Sequence, residues 1–591
     1  MNHRQSKSRN CVASTLLFLL AIASAAILVR PVQGVEQEIE FSLKDHQGKV
    51  WDTAELADKK LLVIAFMGTE CPLARLYAGR LEELADSFQK ESVQFLMVNS
   101  NQQDSLAEIA SCISREKITI PYLKDPGNRV ADLMEAERTP EVFVLDENRL
   151  LAYRGKIDDQ FTYGVQRAQA DNHYLRDALE DILAGRAPAE KVTEPVGCVI
   201  GRVFTSEKSQ EVTFANQISR ILYENCVNCH REGEIAPFDL LDYDEVVGWA
   251  GMIAEVVEEN RMPPWHASPD HGEFSNDARL SDEDKQLIQT WVENGATLGD
   301  ESQLPPKPEF ADGWQIGEPD AVIKMRSRPY SVPATGTVPY RYFVVDTNFK
   351  EDKWIKAAEC RPGAREVVHH IIVGIRGEGE FGRGGGVHDD LDSEWIAATA
   401  PGAPPMILPD GYAKLIPAGA KLIFQMHYTP NGTAQQDMSE IGLIFADPDS
   451  VKKRVYTQQA HNARFRIPAG EANHRVRAFK QIRGDVELMA MFPHMHFRGK
   501  SFKFELRDTE GETETLLDVT NYDFNWQNSY VLAKPLQIKK DSMLRCYAVF
   551  DNSAGNLANP DPSESVRWGD QTWEEMMIGY FDVAVPVDGR E

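Results

Sequence analysis

The chain has 591 residues, of which 42% are hydrophobic, so its length predicts several domains with buried cores. Its formal net charge of −28 excludes nucleic acid as a partner, because binding to a phosphate backbone requires clustered lysine and arginine. Its 8 cysteines are too few for a scaffold built on disulfides.

Residues 1–34 have the pattern of an export signal. Basic residues, including Arg4 and Arg9, precede an uncharged run at 11–29, and Gly34 offers a small residue near a cleavage position. The uncharged run is close to the lower length limit for a membrane-spanning helix. The alternative to cleavage is therefore a retained anchor in the inner membrane.

Residues 36–190 alternate between strand-like and helix-like patterns. Apolar runs of strand length occur at 61–67, 93–98 and 139–145, and a helical pattern follows the first of them. This alternation predicts an α/β domain with a parallel sheet. Cys71 stands where the first run gives way to the helix, a position at which the helix dipole lowers the pKa of a thiol.

These features resemble the thioredoxin-like redoxins, and Pro140 resembles the cis-proline that faces their reactive thiol. The Cys-x-x-Cys motif of thioredoxins is incomplete here, because its second position is Ala74. Two interpretations follow. Cys71 is either a redox-active thiol, with Cys112 or Cys198 as its resolving partner, or an inactive residue in a scaffold that has lost exchange chemistry.

The motif from Cys226 to His230 reads Cys-Val-Asn-Cys-His, which is the attachment pattern of c-type haem. Cys226 and Cys229 are the predicted attachment thiols, and His230 is the predicted axial ligand. Half of a zinc site is the alternative, but no second Cys or His pair follows nearby. One haem c is therefore predicted. Such haem is attached outside the bacterial cytoplasm, so the protein is predicted to be periplasmic or otherwise exported.

Met262 is the predicted sixth ligand of the haem iron, because a thioether sulfur suits that position, and Met252 and His266 are its rivals. Helical patterns lead into the haem motif and follow a capping box that begins at Ser281. Together these segments resemble a small all-α cytochrome c domain over residues 196–302.

Residues 303–319 are rich in proline and glycine and are predicted to form a linker. Beyond them, short alternating runs separated by turn residues indicate antiparallel strands and few helices. Their spacing predicts two all-β sandwich or jelly-roll domains, at 320–452 and 453–591. The predicted fold class is thus multidomain, with α/β, all-α and two all-β parts in that order.

Histidines are concentrated in the C-terminal half, as the doublet His369 and His370, as His427, and as the pair His494 and His496. Residues two apart on a strand point the same way, so the last pair can share one metal ion. The adjacent doublet needs a bend in the backbone, such as a β-bulge, before both rings reach one ion. Imidazole suits several transition metals, and these residues alone do not distinguish them.

Four segments in this half resemble the copper type II, ascorbate-dependent monooxygenases, the family of peptidylglycine alpha-hydroxylating monooxygenase. They are the histidine doublet, Gln-Met-His-Tyr at 425–428, His-Met-His-Phe-Arg-Gly-Lys at 494–500, and Thr-Trp-Glu-Glu-Met at 572–576. The resemblance implies two copper ions, one in each β domain. It assigns an electron-storing copper to His369, His370 and His427. It assigns the copper at which O₂ and substrate react to His494, His496 and Met576, with Met577 as a rival of Met576.

The resemblance also bears on the substrate. Tyr580 matches a tyrosine that contacts the substrate in this family. Phe492 replaces an arginine that holds the carboxylate in peptide-amidating members, and Ile578 replaces an asparagine. These departures favour a less polar small molecule over a peptide. The pairing of Cys360 and Cys546, which remain from the family's cysteine pattern, is left open.

The predicted function is that of an exported copper-dependent monooxygenase that hydroxylates a small organic substrate with O₂. The haem would deliver electrons from a donor, in the role that ascorbate has in animal relatives. The alternative is a thiol-disulfide or peroxide oxidoreductase, or an electron-transfer protein, whose C-terminal half binds metal without oxygenase activity. A structural protein with decayed sites is a third interpretation.

Overall fold

The structure is a computed structural model. It describes residues 38–167, 169–204, 211–310, 313–334, 336, 338–376, 395–400 and 404–587. The predicted export signal, with the apolar run at 11–29, lies outside these residues. Within them, no helix combines the length and the apolar character needed to cross a membrane.

The N-terminal region contains a seven-stranded sheet in the order β2-β1-β5-β4-β3-β7-β8. The strands of this region are β1 (Ser42–Asp45), β2 (Val50–Asp52), β3 (Leu61–Phe66), β4 (Val93–Asn99), β5 (Tyr122–Lys124), β6 (Arg138–Thr139), β7 (Glu141–Leu145), β8 (Leu151–Gly155), β9 (Phe161–Thr162), β10 (Val165–Gln166) and β11 (Cys198–Val199). Its helices are α1 (Pro72–Ser87), α2 (Leu106–Glu116), α3 (Arg129–Met134) and α4 (Tyr174–Leu183).

Both faces of this sheet are buried. Alternate residues of β3 enter two different cores: Val63 packs with α1 on one face, and Ile64 packs with α3 on the other. A strand covered on both faces has no polar side, which explains the continuous apolar run at 61–67.

The direction of β7 differs from the prediction. Strands β3, β4 and β5 run parallel, as expected, but β7 pairs antiparallel with β3, so the sheet is mixed. The apolar run at 139–145 is the same kind of signal as that of the parallel strands. Such a run reports burial on both faces and carries no information about strand direction, so the sequence could not give it.

Residues 211–303 are mainly helical, with α5 (Ser219–Asn225), α6 (Tyr243–Glu258) and α7 (Asp282–Glu293). The side chain of Ser281 accepts the backbone N–H of Asp284 and begins α7, as predicted. The buried Trp249 and Trp291 belong to a core that continues into the N-terminal region. The segment after α6 leaves this core, because Trp265 and Phe274 pack in the last β domain.

The C-terminal half is almost entirely β structure. Its strands up to residue 445 are β12 (Ala321–Lys324), β13 (Tyr330–Val332), β14 (Arg341–Asp346), β15 (Lys353–Arg361), β16 (Val368–Arg376), β17 (Trp395–Thr399), β18 (Met406–Ile407), β19 (Tyr412–Ile416), β20 (Lys421–Tyr428), β21 (Gln435–Asp437) and β22 (Glu440–Phe445). The later strands are β23 (Lys453–His461), β24 (Arg466–Ile467), β25 (His474–Gln481), β26 (Val486–His494), β27 (Gly499–Arg507), β28 (Thr513–Val519), β29 (Tyr530–Ile538), β30 (Met543–Phe550), β31 (Val566–Arg567) and β32 (Ile578–Pro586).

These strands form two sandwiches. The first packs β12-β22-β15-β19 against β14-β20-β16-β17, and the second packs β23-β32-β26-β29 against β25-β30-β27-β28. Parallel pairing of β19 with β23 joins one sheet of each sandwich into a continuous sheet. A buried ion pair of Lys414 with Asp582, 3.1 Å from nitrogen to oxygen, also crosses this boundary. The two sandwiches therefore face each other in a fixed arrangement.

Candidate metal and thiol sites

The first histidine cluster lies on two neighbouring strands of the first sandwich. His370 on β16 stands opposite His427 on β20, and the register of the pairing shifts between Val368 and His370. This irregularity is the bend that the adjacent doublet requires. One nitrogen from each of His369, His370 and His427 lies within 4.8 Å of the others, and Nδ1 of His427 is 3.2 Å from Nδ1 of His369.

Burial keeps these three imidazoles neutral. It lowers the pKa of His369 to about 4. For His370 and His427, burial and then the neighbouring histidines lower the pKa well below the usual value. Neutral imidazole is the form that binds a metal ion. Two nitrogens about 2 Å from one ion in tetrahedral geometry would lie about 3.3 Å apart, so the observed 3.2 Å fits a shared ion.

The second cluster lies at the end of β26. The rings of His494 and His496 are 5.3 Å apart between centroids. Nδ1 of His494 is 2.7 Å from the side-chain oxygen of Gln527, and Nδ1 of His496 is 3.2 Å from the carbonyl oxygen of Glu574. These contacts fix the orientation of both rings and direct Nε2 away from the partners, as in metal sites whose outer hydrogen bonds orient the ligands.

Glu575 holds the backbone of this second cluster. Its carboxylate accepts the N–H groups of His496 (3.0 Å) and Arg498 (2.7 Å). Burial raises the pKa of Glu575 to about 8, although Arg498 and the N–H donors act in the opposite direction. The sequence placed Glu575 in a family motif without giving it a role.

Met576 and Met577 point into different surroundings. Met576 packs with Tyr580, Trp395 and other residues in a small apolar cluster between the sandwiches, whereas Met577 lies in the core of the second sandwich. His494 stands opposite Ile578 in the β26–β32 pairing, and Met576 is two residues before Ile578. Of the two methionines, Met576 is therefore the one that lies with Tyr580 between the sandwiches.

One aromatic wall separates the two clusters. The ring of Tyr340 lies 5.1 Å from that of His427 and 6.0 Å from that of His496. Phe524 stacks on His369 at 5.4 Å and also contacts His496 at 6.1 Å. The two clusters thus face each other across a single layer of side chains. Sequence analysis missed both wall residues, because neither belongs to a motif with metal ligands.

The predicted haem motif follows α5, in a turn where the N–H groups of Cys229 and His230 both donate to the carbonyl oxygen of Cys226. Cys226 and Cys229 are both free thiols. Burial raises the pKa of Cys226 to about 12 and lowers that of His230 to about 4, so His230 is neutral. Nδ1 of His230 is 3.2 Å from the carbonyl oxygen of Phe238, which leaves Nε2 as the atom that could ligate iron.

The predicted candidates for the sixth ligand of the haem iron lie in different surroundings. Met262 stands in the loop after α6, whereas Met252 lies within α6 and packs against the core that Cys226 also contacts. Nδ1 of His266 is 2.7 Å from the carbonyl oxygen of Asn521 in the second sandwich. Both methionines therefore stay candidate ligands, and His266 is engaged in a contact between domains.

The loop of the haem motif contacts the first sandwich. Glu234, four residues after His230, forms ion pairs with Arg231 (2.9 Å) and with Arg365. Arg365 precedes β16, four residues before His369. The haem motif and the first histidine cluster are thus joined by one ion pair and a short stretch of chain.

Cys71 is the N-cap residue of α1, as the sequence predicted. Its Sγ donates to the carbonyl oxygen of Thr139 at 2.9 Å, and the bond between Thr139 and Pro140 is cis, as expected from the resemblance. Burial acts to raise the pKa of Cys71. Hydrogen bonds with Cys198, with the N–H of Ala74 and with Thr139 outweigh it and lower that pKa to about 7.

The remaining cysteines differ from Cys71. Cys198 lies beside it, and its own pKa is raised well above the usual value by that hydrogen bond and by burial. Cys112 is buried in α2, where burial raises its pKa to about 11. Cys360 and Cys546 are free thiols in the cores of different sandwiches, so they do not pair with each other.

Comparison with known proteins finds a family match for the N-terminal region. Residues 35–154 match the model of the AhpC/TSA family, so this region is a thioredoxin-like redoxin domain, which supports a redox role for the chain. Similar solved structures include a hypothetical protein from Sinorhizobium meliloti, with 26% identity over 28% of this chain and 92% of that one and a TM-score of 0.25. An uncharacterized conserved protein from Geobacillus kaustophilus has 26% identity over 30% and 93%, with a TM-score of 0.27. Peroxidoxin BcpB from Mycobacterium tuberculosis has 20% identity over 20% and 82%, with a TM-score of 0.19. No curated protein matches the chain at a significant level.

Proposed function

We propose that this chain is an exported redox enzyme whose C-terminal sandwiches bind two copper ions and hydroxylate a small organic substrate with O₂. The observation that carries the proposal is the convergence of His369, His370 and His427, whose ligand atoms lie within 4.8 Å of one another. His427 is 58 positions from His369 in the chain, and a β-bulge brings the adjacent pair His369 and His370 to one side.

The reaction requires two electrons, because one oxygen atom enters a C–H bond and the other leaves as water. Copper held at two separate sets of ligands would supply one electron from each ion, and the softer set with Met576 would favour Cu(I) at the site for O₂. The protein's own residues prepare these sites. Burial keeps His370 and His427 neutral, and Gln527 orients His494. The buried ring of Tyr340 lies between the clusters.

The contact of Glu234 with Arg365 supports a role for the haem motif as the electron entry point. It links the loop after His230 to the start of β16, which carries the first histidine cluster. We therefore propose that Cys226 and Cys229 would hold covalent haem, with His230 as a ligand, and that such haem would supply electrons to a metal ion bound at the first histidine cluster. An exported location would provide the compartment in which such haem is attached.

The residues between the sandwiches favour a weakly polar substrate. Ile578, Phe492 and Tyr580 form an apolar cluster with Trp395, next to the second histidine cluster. Phe492 stands where peptide-amidating members of the resembling family have an arginine, so a peptide carboxylate would lack that cation. We propose a small, largely apolar molecule that contacts Tyr580 as it reacts.

The test is metal content together with oxygen consumption, measured on the full chain produced in a bacterium that matures c-type cytochromes. We expect close to two copper ions per chain and O₂ uptake that depends on reductant. His427→Ala should lower the copper content by about one ion and abolish the uptake. His474→Ala is the matched control, because His474 lies on β25, in a sheet that carries neither cluster. A wild-type protein without copper, or equal copper in both variants, would refute the proposal.

A second candidate function is thiol-based reduction of peroxides or disulfides at Cys71. The lowered pKa of Cys71 and the match to the AhpC/TSA family favour it. Under this function, Cys71→Ser should lose peroxide consumption driven by dithiothreitol, whereas Cys112→Ser should retain it. Equal rates in wild type and Cys71→Ser would contradict it, and neither result depends on copper.

A further inference from the structure

A second thiol reaches Cys71 from outside the redoxin domain. Residues 194–204 connect this domain to the helical region, and within them β11 pairs antiparallel with β6, so that Cys198 stands opposite Thr139. The approach is very close. A Cβ atom on Gly197 would lie 2.1 Å from the carbonyl oxygen of Thr139, so a larger residue at 197 would push the connector away.

Thr139 is the meeting point of the two thiols. Its carbonyl accepts the Sγ–H of Cys71 at 2.9 Å, and its backbone is paired with that of Cys198. Both cysteines are buried, with 0% and 7% of their surfaces exposed, and Cys198 is close enough to Cys71 to lower the pKa of its thiol. Cys112 belongs to the same core but is not among the groups that hydrogen-bond to Cys71. The geometry thus decides between the two partners that the sequence left open.

We propose that Cys71 and Cys198 form a reversible disulfide, in which the connector supplies the thiol that Ala74 replaces in the redoxin motif. This inference rests on the reactivity of Cys71, which the second candidate function also requires, and it is independent of copper. The oxidant that we assign to the pair is a low-molecular-weight disulfide.

The exchange is balanced in two steps. The thiolate of Cys71 attacks one sulfur of the disulfide RSSR, forming a protein mixed disulfide and releasing the first RS⁻. Cys198 then loses its proton and attacks Sγ of Cys71, which forms the intramolecular disulfide and releases the second RS⁻. Two protein thiols are oxidised, RSSR is reduced to two RSH, and the two thiol protons pass to the two RS⁻ groups.

The surroundings of the two thiols include a cover and a neighbouring cavity. Tyr163 covers the connector by donating to the carbonyl oxygen of Gly197 at 2.5 Å, and Arg138 is anchored on Glu255 of α6 at 2.8 Å. Beside this cover lies a cavity of about 400 Å³ whose wall includes Pro140, which follows Thr139 in the chain, and Val196, which lies two residues before Cys198. A volume of this size accommodates a small ligand.

The test uses oxidised glutathione as the probe on the full-length protein. Protein equilibrated with oxidised or reduced glutathione is alkylated, digested without reduction and mapped by mass spectrometry. We expect a peptide that joins residues 71 and 198 in oxidised wild type, and its loss after reduction. Cys112→Ser should give the same joined peptide. Cys198→Ser should give none, and Cys71 should instead carry one glutathione.

Two results would overturn the inference, and they differ in meaning. If both thiols remain alkylated in wild type under oxidising conditions, Cys71 is unreactive and the second candidate function fails with the pair. If Cys71 is joined to Cys112, or carries glutathione although Cys198 is present, Cys71 is reactive but Cys198 is not its partner. The wild-type map decides between these outcomes even if Cys198→Ser does not fold.

Discussion

The two histidine clusters face each other across Tyr340, yet they are held in different ways. In the first, adjacent histidines on β16 converge with His427 through a bulge, and the rings contact mainly one another and the aromatic wall. In the second, His494 and His496 stand two residues apart, and each ring is anchored through Nδ1 by Gln527 or by a backbone carbonyl.

This difference shows that two conditions must be met separately: the ligands must lie on one side of the backbone, and their rings must be oriented toward the ion. A spacing of two places both rings on one side of a strand, but β26 ends at His494 and His496 follows it, so outer hydrogen bonds are needed to fix the rings. Adjacent residues face opposite sides, so the backbone itself must be distorted before orientation matters. We therefore expect the first cluster to depend on packing and the second on its hydrogen-bond partners.

The largest expected effect concerns Met576, the sulfur ligand that we propose for the second cluster. Met576→Leu keeps the volume of the side chain but removes the thioether, so O₂ uptake should fall to the level of the copper-free protein. Met577→Leu is the matched control, because Met577 lies in the core of the second sandwich, where a swap of similar volume costs less than about 1.5 kcal/mol. Oxygen electrode measurements on both variants test this expectation. Loss of O₂ uptake only in Met577→Leu would identify Met577, and not Met576, as the sulfur ligand.

The next effect concerns the shared wall. Tyr340→Ala would open a cavity beside both clusters, and we expect it to destabilise the C-terminal sandwiches by about 3–5 kcal/mol. Tyr340→Phe should change stability by less than about 1 kcal/mol, because no described residue hydrogen-bonds to the buried hydroxyl. Calorimetric unfolding of the metal-free proteins distinguishes the contribution of ring packing to stability from that of the hydroxyl. Equal losses in the two variants would show that the hydroxyl, and not the ring, holds the wall.

Acid should destabilise the first cluster of the metal-free protein. The folded-state pKa values of His370 and His427 are lowered well below the usual value, whereas the unfolded chain binds protons near pH 6.5. Protons therefore favour the unfolded state. Stability is fully present above about pH 6.5 and decreases as the pH falls, by up to about 1.4 kcal/mol per pH unit for each histidine.

Unfolding of metal-free protein at several pH values between about 7 and 5 measures this dependence. His427→Gln should reduce the slope of unfolding free energy against pH by the contribution of one proton. His474→Gln, at a residue outside both clusters, should leave this slope unchanged. A slope that is the same in wild type and in His427→Gln would show that His427 titrates normally in the folded protein.

The smallest effect concerns the outer shell of the second cluster. Gln527→Leu removes the partner of Nδ1 in His494 without touching the first cluster, and we expect about 10–100-fold weaker copper binding at the second site. Competitive titration with a copper chelator resolves the two sites. If both affinities fall together, the clusters are coupled and the comparison between them fails.

Much of the site could be read from the sequence because its signals are local. The thiol at the start of α1, the haem motif at the end of α5 and the strands that carry the histidines all depend on spacing and short apolar runs. The need for a bend at His369 and His370 also followed from the two-residue period of a strand. The structure contains this bend as a register shift between β16 and β20.

Contacts between distant segments could not be read in this way. Gln527 and Phe524 lie in a loop without a motif. Phe524 reaches His369 because the second sandwich folds against the first, whereas Gln527 reaches His494 within the second sandwich. The antiparallel direction of β7 likewise could not be inferred from its apolar run.

The sequence by itself determined which residues are chemically able to bind metal or exchange electrons, because those abilities belong to side chains and to spacings of a few residues. Only the tertiary structure decided which of these residues meet. It placed Cys198 rather than Cys112 beside Cys71, and Met576 rather than Met577 beside Tyr580. Such choices depend on how whole sheets and connectors pack, and no local pattern in the chain encodes the packing of one distant segment on another.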